Sequence, residues 1–161
     1  MLSMKKFTRA EIEALISAAG TEDFTPEGHP GPVDLSGLNG VCIDLAGADL
    51  SHLDLSGLNL SRANLDGARL CHTLLCGCNL QGASLEGADL SGAICTDSNM
   101  SRGYLRWMTC QGTDFTGVDF SFALLTSTDL STAIFGNNDF TSTELSGLTL
   151  PPGGVAGISG R

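Results

Sequence analysis

The chain has 161 residues, with 18 acidic against eight basic side chains and a formal charge of -10, a balance that disfavours non-specific attraction to nucleic acid or to anionic membrane surfaces. Hydrophobic residues make up 42%, yet aromatics only 6% and charged residues 16%, with 21 glycines; this bias toward small apolar side chains departs from an ordinary globule and suggests a narrow interior. No run approaches the roughly 18 apolar residues of a membrane span, and Met1 to Lys6 lead into a polar segment rather than a signal-peptide core, so the expected location is cytoplasmic.

At the N-terminus, Thr8-Arg9-Ala10-Glu11 has capping-box spacing, and Phe7, Ile12, Leu15 and Ile16 share one face of the predicted helix, which stops near Gly20. Residues 21–32, with Pro26, Gly28, Pro30, Gly31 and Pro32, read as a linker. Residues 1–32 are therefore expected to be a cap and its connection; a separate partner-binding helix is the alternative.

From Leu35 to Leu150 every fifth residue is large and apolar, mostly leucine, except at Gly40. A smaller residue, such as Ala48, Ala63, Ala88 or Ala123, comes two positions earlier, usually with Asp or Asn between the two. Glycine is frequent two positions later, as at Gly47, Gly67, Gly87 and Gly117. A period of five fits neither a helix nor a long strand, so each unit must be a short extended piece followed by a bend. In the extended piece the small and large residues point inward and the polar one between them outward. Cys78, Cys95 and Cys110 fall at inward positions, which favours reduced thiols acting as small hydrophobes over a disulfide framework.

The runs Ala48-Asp49-Leu50-Ser51, Ala63-Asn64-Leu65-Asp66-Gly67 and Ala88-Asp89-Leu90-Ser91-Gly92 resemble the A-[DN]-L-x-x motif of pentapeptide-repeat proteins. The resemblance implies an all-β solenoid, a right-handed quadrilateral β-helix over 33–150 with four units per coil, behind an N-terminal α-helical cap. Twenty-four units then make six coils and a rod rising roughly 30 Å at about 4.8 Å per coil. Residues 20 apart stack: Leu45, Leu65, Leu85, Leu105, Leu125 and Leu145 form one column, while Phe115 pairs with Phe135 and Phe120 with Phe140. Such an interior is solid, without the concave pocket most enzymes need.

Pro151-Pro152-Gly153-Gly154 reads as the end of the repeat, leaving 151–161 as a flexible tail. The last coil, with Phe140, Leu145, Leu148 and Leu150, is expected to meet the same end of a second copy, because several proteins of the resembled family dimerise end to end. The competing arrangement folds Val155 and Ile158 back over that end.

No phosphate loop, GxSxG elbow or HExxH signature occurs, and no catalytic residue, metal or cofactor is expected. His52 and His72 point outward and stack on neighbouring coils, with Cys71 beside them and Cys76 on the next side; solvated surface residues are the favoured reading. One side carries Asp34, Asp54, Asp97 and Asp114, and the next sets Arg62 and Arg102 against Asp119 and Asp139. The most unusual outer residues are Tyr104, Trp107, Phe122 and Leu124, flanked by Arg102 and Arg106, a composition typical of protein-binding hot spots; local packing around Trp107 is the alternative. These features point to a non-enzymatic bacterial scaffold or adaptor with a protein partner and no direct nucleic-acid or membrane contact. The resemblance adds a DNA-mimicking modulator of DNA gyrase or topoisomerase IV as an alternative, though this register has none of the loop insertions of the quinolone-protecting members; a secreted effector is a third.

Overall fold

Five-residue units cannot bury their apolar side chains alone, and the structure shows how they combine. It is a computed structural model that describes residues 5–6, 10–12, 14 and 43–158. Parallel bridges join residues 20 apart on every side: Asp44 with Asn64, Asp49 with Arg69, Asp54 with Leu74, and Asn59 with Asn79. Twenty residues per coil is four units per coil, so the section is a square. We number its faces by their inward residues: the first carries Leu45 and Leu65, the second Leu50 and Leu70, the third Leu55 and Leu75, the fourth Leu60 and Leu80.

Neighbouring coils are tied by backbone hydrogen bonds on each side: the Leu45 N–H donates to the Asn64 carbonyl at 2.7 Å, the Asn64 N–H returns to Ile43 at 2.8 Å, and at the corner the Gly47 N–H donates to Asp66 at 2.9 Å. Two short strands, β1 (Lys5–Lys6) and β2 (Ile43–Asp44), pair in parallel at the start of the first face. On the same face near the other end, β3 (Leu124–Thr126) pairs in parallel with β4 (Glu144–Ser146). Strand β1 was not anticipated within the segment 1–32, which reads from the sequence only as a capping helix and linker. Residues 10–12 and 14 are helical, and Ile12 is buried with the core. The helix stop at Gly20, the linker 21–32, and the units at Leu35 and Gly40 lie outside the described residues.

The corners explain the rest of the motif. The Ala48 N–H donates to the Leu45 carbonyl at 2.9 Å, and Gly47, third of the four turn residues, has φ +67°, the signature of a type II turn. Glycine adopts this left-handed conformation readily. Elsewhere the same corner position is filled by His52, Arg62, His72, Asp97, Arg102, Trp107, Phe122, Ser127, Asn137 and Ser142, all with φ between 54 and 63°. Thr132 alone among the corners from Gly47 to Gly147 avoids it, as a β-branched residue should. The Asp or Asn between the inward residues accepts from the N–H two residues on, as Asp44 does from Ala46 at 3.1 Å and Asp114 from Thr116 at 2.9 Å. This is an Asx turn closing the corners that carry Asp or Asn there.

Inside, Leu50, Leu65, Leu70, Leu75, Leu80, Leu85, Leu90 and Leu105 are fully buried, and the small-residue column packs beside them. Phe115 stacks on Phe135 at 5.6 Å between ring centroids and Phe120 on Phe140 at 5.3 Å, as the 20-residue rule requires. Polar residues in the small column donate to the carbonyl of the large residue 23 positions back: Thr73 to Leu50, Cys78 to Leu55 and Thr113 to Leu90, each at 2.8 Å. That carbonyl already accepts the turn hydrogen bond, so its second lone pair is used and a buried hydroxyl or thiol is satisfied.

Beyond Leu150 the register persists for one more unit. Val155 stands where a large residue belongs, Gly157 has φ +88° at the corner, and the Ile158 N–H donates to Val155 at 3.0 Å. Val155 and Ile158 both pack against the core. Pro151-Pro152-Gly153-Gly154 read as a terminator; in the structure the inward position next to them remains occupied.

Two outcomes follow from the corners and the core. At Gly67, φ is +62° and an added Cβ would meet nothing within 4 Å, so Gly67→Ala isolates the backbone cost; urea titration should show a loss of about 1 kcal/mol, and Ser142→Gly a gain of similar size. Burial pushes the Cys78 and Cys110 thiols up to about 12 and also raises that of Cys95, keeping all three in the unreactive protonated form. Iodoacetamide labelling with peptide mapping should modify the half-buried Cys71 and Cys76 in the native chain, and Cys78, Cys95 and Cys110 only after unfolding.

Candidate functional site

The square coil turns spacing into surface proximity, and the first face gathers the residues that depart most from the motif. Its outward column runs Asp44, Asn64, Ser84, Tyr104, Leu124 and Glu144, and a direct parallel bridge places Tyr104 beside Leu124. The corner leading into this face holds Arg62, Gly82, Arg102, Phe122 and Ser142; the corner leaving it holds Gly47, Gly67, Gly87, Trp107, Ser127 and Gly147. Tyr104, Trp107 and Phe122 are 47%, 58% and 52% exposed, far more than residues recruited to pack the coil.

Both arginines rest on aromatic rings. The Arg102 guanidinium lies 5.1 Å from the Phe122 centroid and that of Arg106 5.2 Å from Trp107, within the range of cation–π attraction. Arg106 is also fixed by Glu86, 20 residues earlier: Nε and Nη2 donate to the same carboxylate oxygen at 2.7 and 2.5 Å. Arg102, Trp107 and Phe122 all occupy left-handed corner positions, at φ 59, 57 and 59°, a conformation that costs a side-chain-bearing residue about 1 kcal/mol or more. The Trp107 corner is also a bend without the usual turn hydrogen bond. Glycine performs the corner's task elsewhere at lower cost, so the coil itself does not require these bulky residues. What the arrangement offers is a rigid aromatic platform with guanidinium donors at its edge, suited to binding rather than to acid–base or nucleophilic chemistry.

The Glu86–Arg106 pair was legible through the 20-residue offset but was not anticipated. An outward apolar column on the third face, Leu74, Ile94 and Ile134 interrupted by Asp114, was missed in the same way; Ile94 and Ile134 are 39% and 53% exposed.

At the C-terminal end Phe140 is buried, whereas Leu145, Leu148 and Leu150 are partly so. With Ile158 these residues line an open cleft of about 590 Å³. His52 and His72 stack face to face at 5.2 Å, and the His72 ring leans over Gly92. Among the described residues no group of three or more His, Cys, Asp or Glu side chains could hold a metal ion.

Acid is spread more widely than the two faces singled out from the sequence. The first face carries Asp44, Asp66, Glu86 and Glu144 against Arg106, and the second Asp49, Asp89 and Asp129 against Arg69. Asp34 lies outside the described residues. Many of these carboxylates are engaged in corner turns. A backbone hydrogen bond from Ser131 lowers the Asp129 pKa, and hydrogen bonds from the Thr141 hydroxyl and N–H lower that of Asp139.

No described helix is long and apolar enough to cross a membrane. The family model for pentapeptide repeats matches residues 43–82 and 72–106, in eight copies. No curated protein matches the chain by sequence. Similar solved structures include HetL, a pentapeptide repeat protein involved in heterocyst differentiation regulation from the cyanobacterium Nostoc sp. strain PCC 7120, at 24% identity and a TM-score of 0.42, covering 67% of this chain and 55% of that one. Another is alr5209, a pentapeptide repeat protein from Nostoc PCC 7120, at 24% identity and a TM-score of 0.36, covering 89% and 98%. A third is QnrB1, a plasmid-mediated fluoroquinolone resistance protein, at 20% identity and a TM-score of 0.25, covering 64% and 79%. The chain thus spans little more than half of HetL. Eight matched copies over residues 43–106, on a coil of four five-residue sides whose register runs unbroken beyond them, show that this chain carries pentapeptide repeats, a repeat that implies a right-handed quadrilateral β-helix.

Proposed function

We propose that the chain is a non-enzymatic scaffold or adaptor of the cytoplasm that holds a protein partner against its first face. The carrying observation is the cluster of Tyr104, Trp107 and Phe122, exposed on adjacent coils and set at corners where glycine would be less strained. Exposed aromatics joined to arginine carry a large share of the energy in protein interfaces. A platform on a hydrogen-bonded coil also loses little conformational freedom when it binds. The coil supports this use: we take it to comprise six turns from 33 to 150, closed at the start by the N-terminal segment, where Ile12 joins the core. At the other end Val155 and Ile158 lie against the last coil, which favours a chain that covers part of that end itself over one that needs a second copy there.

A DNA-mimicking action on gyrase or topoisomerase IV is the weaker reading. Carboxylates at Asp44, Asp49, Asp54, Asp89, Asp114, Asp119, Asp129 and Asp139 each accept a hydrogen bond within their own turn, so turn chemistry accounts for much of the acidity.

Trp107→Gly and Phe122→Gly separate the patch from the fold, because glycine is native to such corners. Affinity capture from the native host should recover a partner with the full chain and lose it with the double variant, while circular dichroism and melting show the coil intact. Undiminished capture by the folded double variant would refute the patch. In a supercoiling assay, stoichiometric addition of the chain should leave DNA gyrase unaffected.

A further inference from the structure

The corner leading into the first face is anomalous for a chain of net charge -10. It carries Arg62, Gly82, Arg102, Phe122 and Ser142, two cations and no acid. The other arginines of the coil meet carboxylates: Arg69 faces Asp49 at 3.8 Å and Arg106 is held by Glu86. Among the described residues Arg62 and Arg102 form no ion pair. Gly82 also bears on Arg62, since a Cβ there would stand 3.6 Å from the Arg62 Cγ. The stem of Arg62 therefore lies along Gly82, leaning up the corner toward the coil of Arg102, whose own guanidinium lies over Phe122. The corner becomes a short positive track ending on an aromatic ring. Arg62, Arg102 and Phe122 all hold φ of 59°, a strain that glycine would relieve at each position.

We infer that this track receives an extended, carboxylate-rich segment of the partner protein, which places its acidic side chains on Arg62 and Arg102 and an apolar side chain on Phe122, Tyr104 and Trp107. The inference rests on the protein-binding reading of the patch and adds the chemistry of the partner. Two coils separate the arginines, roughly 10 Å at the spacing of neighbouring strands, and an extended chain in the polyproline II conformation covers about that distance in one three-residue turn, which returns the side chains to the same side. The segment's acidic residues should accordingly stand three apart, with the apolar residue beyond the second. Guanidiniums favour carboxylate through paired hydrogen bonds, and the two arginines repel basic side chains at the track itself, so the local contact selects an acidic segment although the net charge of -10 opposes its approach.

Trp107 is the only tryptophan of the chain, so its fluorescence reports binding at this place alone. The full chain is used to select from a random peptide library, and the enriched peptides are titrated while Trp107 emission is followed. Acidic peptides with an aromatic or aliphatic residue should be enriched, should bind less tightly as sodium chloride rises, and should lose at least about tenfold in affinity with the double variant Arg62→Gly, Arg102→Gly. Because glycine is the common residue at these corners, that variant keeps the fold, as circular dichroism checks. Retained affinity in the arginine variant, with loss in Phe122→Gly, would overturn the acidic-segment inference and leave the patch reading standing; indifference to both would remove both. Enrichment of neutral or basic peptides, or no enrichment, would overturn the inference. So would an oligothymidylate that changes Trp107 emission and displaces the peptides, which would assign the track to single-stranded nucleic acid.

Discussion

Hydrogen bonding between segments 20 residues apart is the constraint on which the rest of the structure depends. The Leu45 N–H reaches Asn64, the Leu65 N–H reaches Ser84, and the Leu85 N–H reaches Tyr104, so each short extended piece, too small to persist alone, is held by its neighbours above and below. The same ladder makes every column of side chains a consequence of spacing. It stacks the leucines inside, brings Phe115 onto Phe135, and brings Glu86 to Arg106 on the outside. A rigid surface of known register is the result, and a pattern of exposed groups can be written onto it with little effect on the core.

The ladder requires a sharp bend every five residues, and that requirement decides which outer positions are free. The third turn residue commonly enters the left-handed region, and an Asp or Asn before the turn accepts the N–H of the second turn residue, so both positions have structural work. Carboxylates there cannot be read as a binding surface simply because they are numerous. The converse holds for the departures: an aromatic or an arginine at a left-handed corner opposes the local preference, and sequences that are otherwise self-consistent tend to break local rules at functional places. Phe122 and Trp107 meet that condition with an arginine over each ring, whereas His52 and His72 meet it stacked on each other.

The period of five made the inward residues legible because burial follows it directly. Every large position from Leu50 to Leu130 is buried, including Cys95, Met100 and Cys110, which a leucine-only pattern would have missed. Strand β1 was not legible: two lysines carry no strand signal, and their pairing with Ile43–Asp44 is a contact between distant segments that no local pattern announces. Proline and glycine concealed the unit around Val155, since composition there suggests termination while position continues the count. The patch was legible as a list of residues. Its internal contacts needed the 20-residue offset to be applied to the outside of the coil as well as to the inside.

That offset also separates the two kinds of charge on this molecule. Asp129 and Asp139 serve their own corners, and their hydrogen bonds hold the folded carboxyls below the unfolded value of 3.8. Their contribution is present above that value and is lost as pH falls through the lower folded one, so this acidity belongs to the stability of the coil. Arg62 and Arg102 serve no corner that glycine could not serve better, and they meet no carboxylate of the described chain. Charge that stabilises the fold is thus satisfied within the turn that carries it, whereas Arg62 and Arg102 stand outside that turn chemistry on a hydrogen-bonded face.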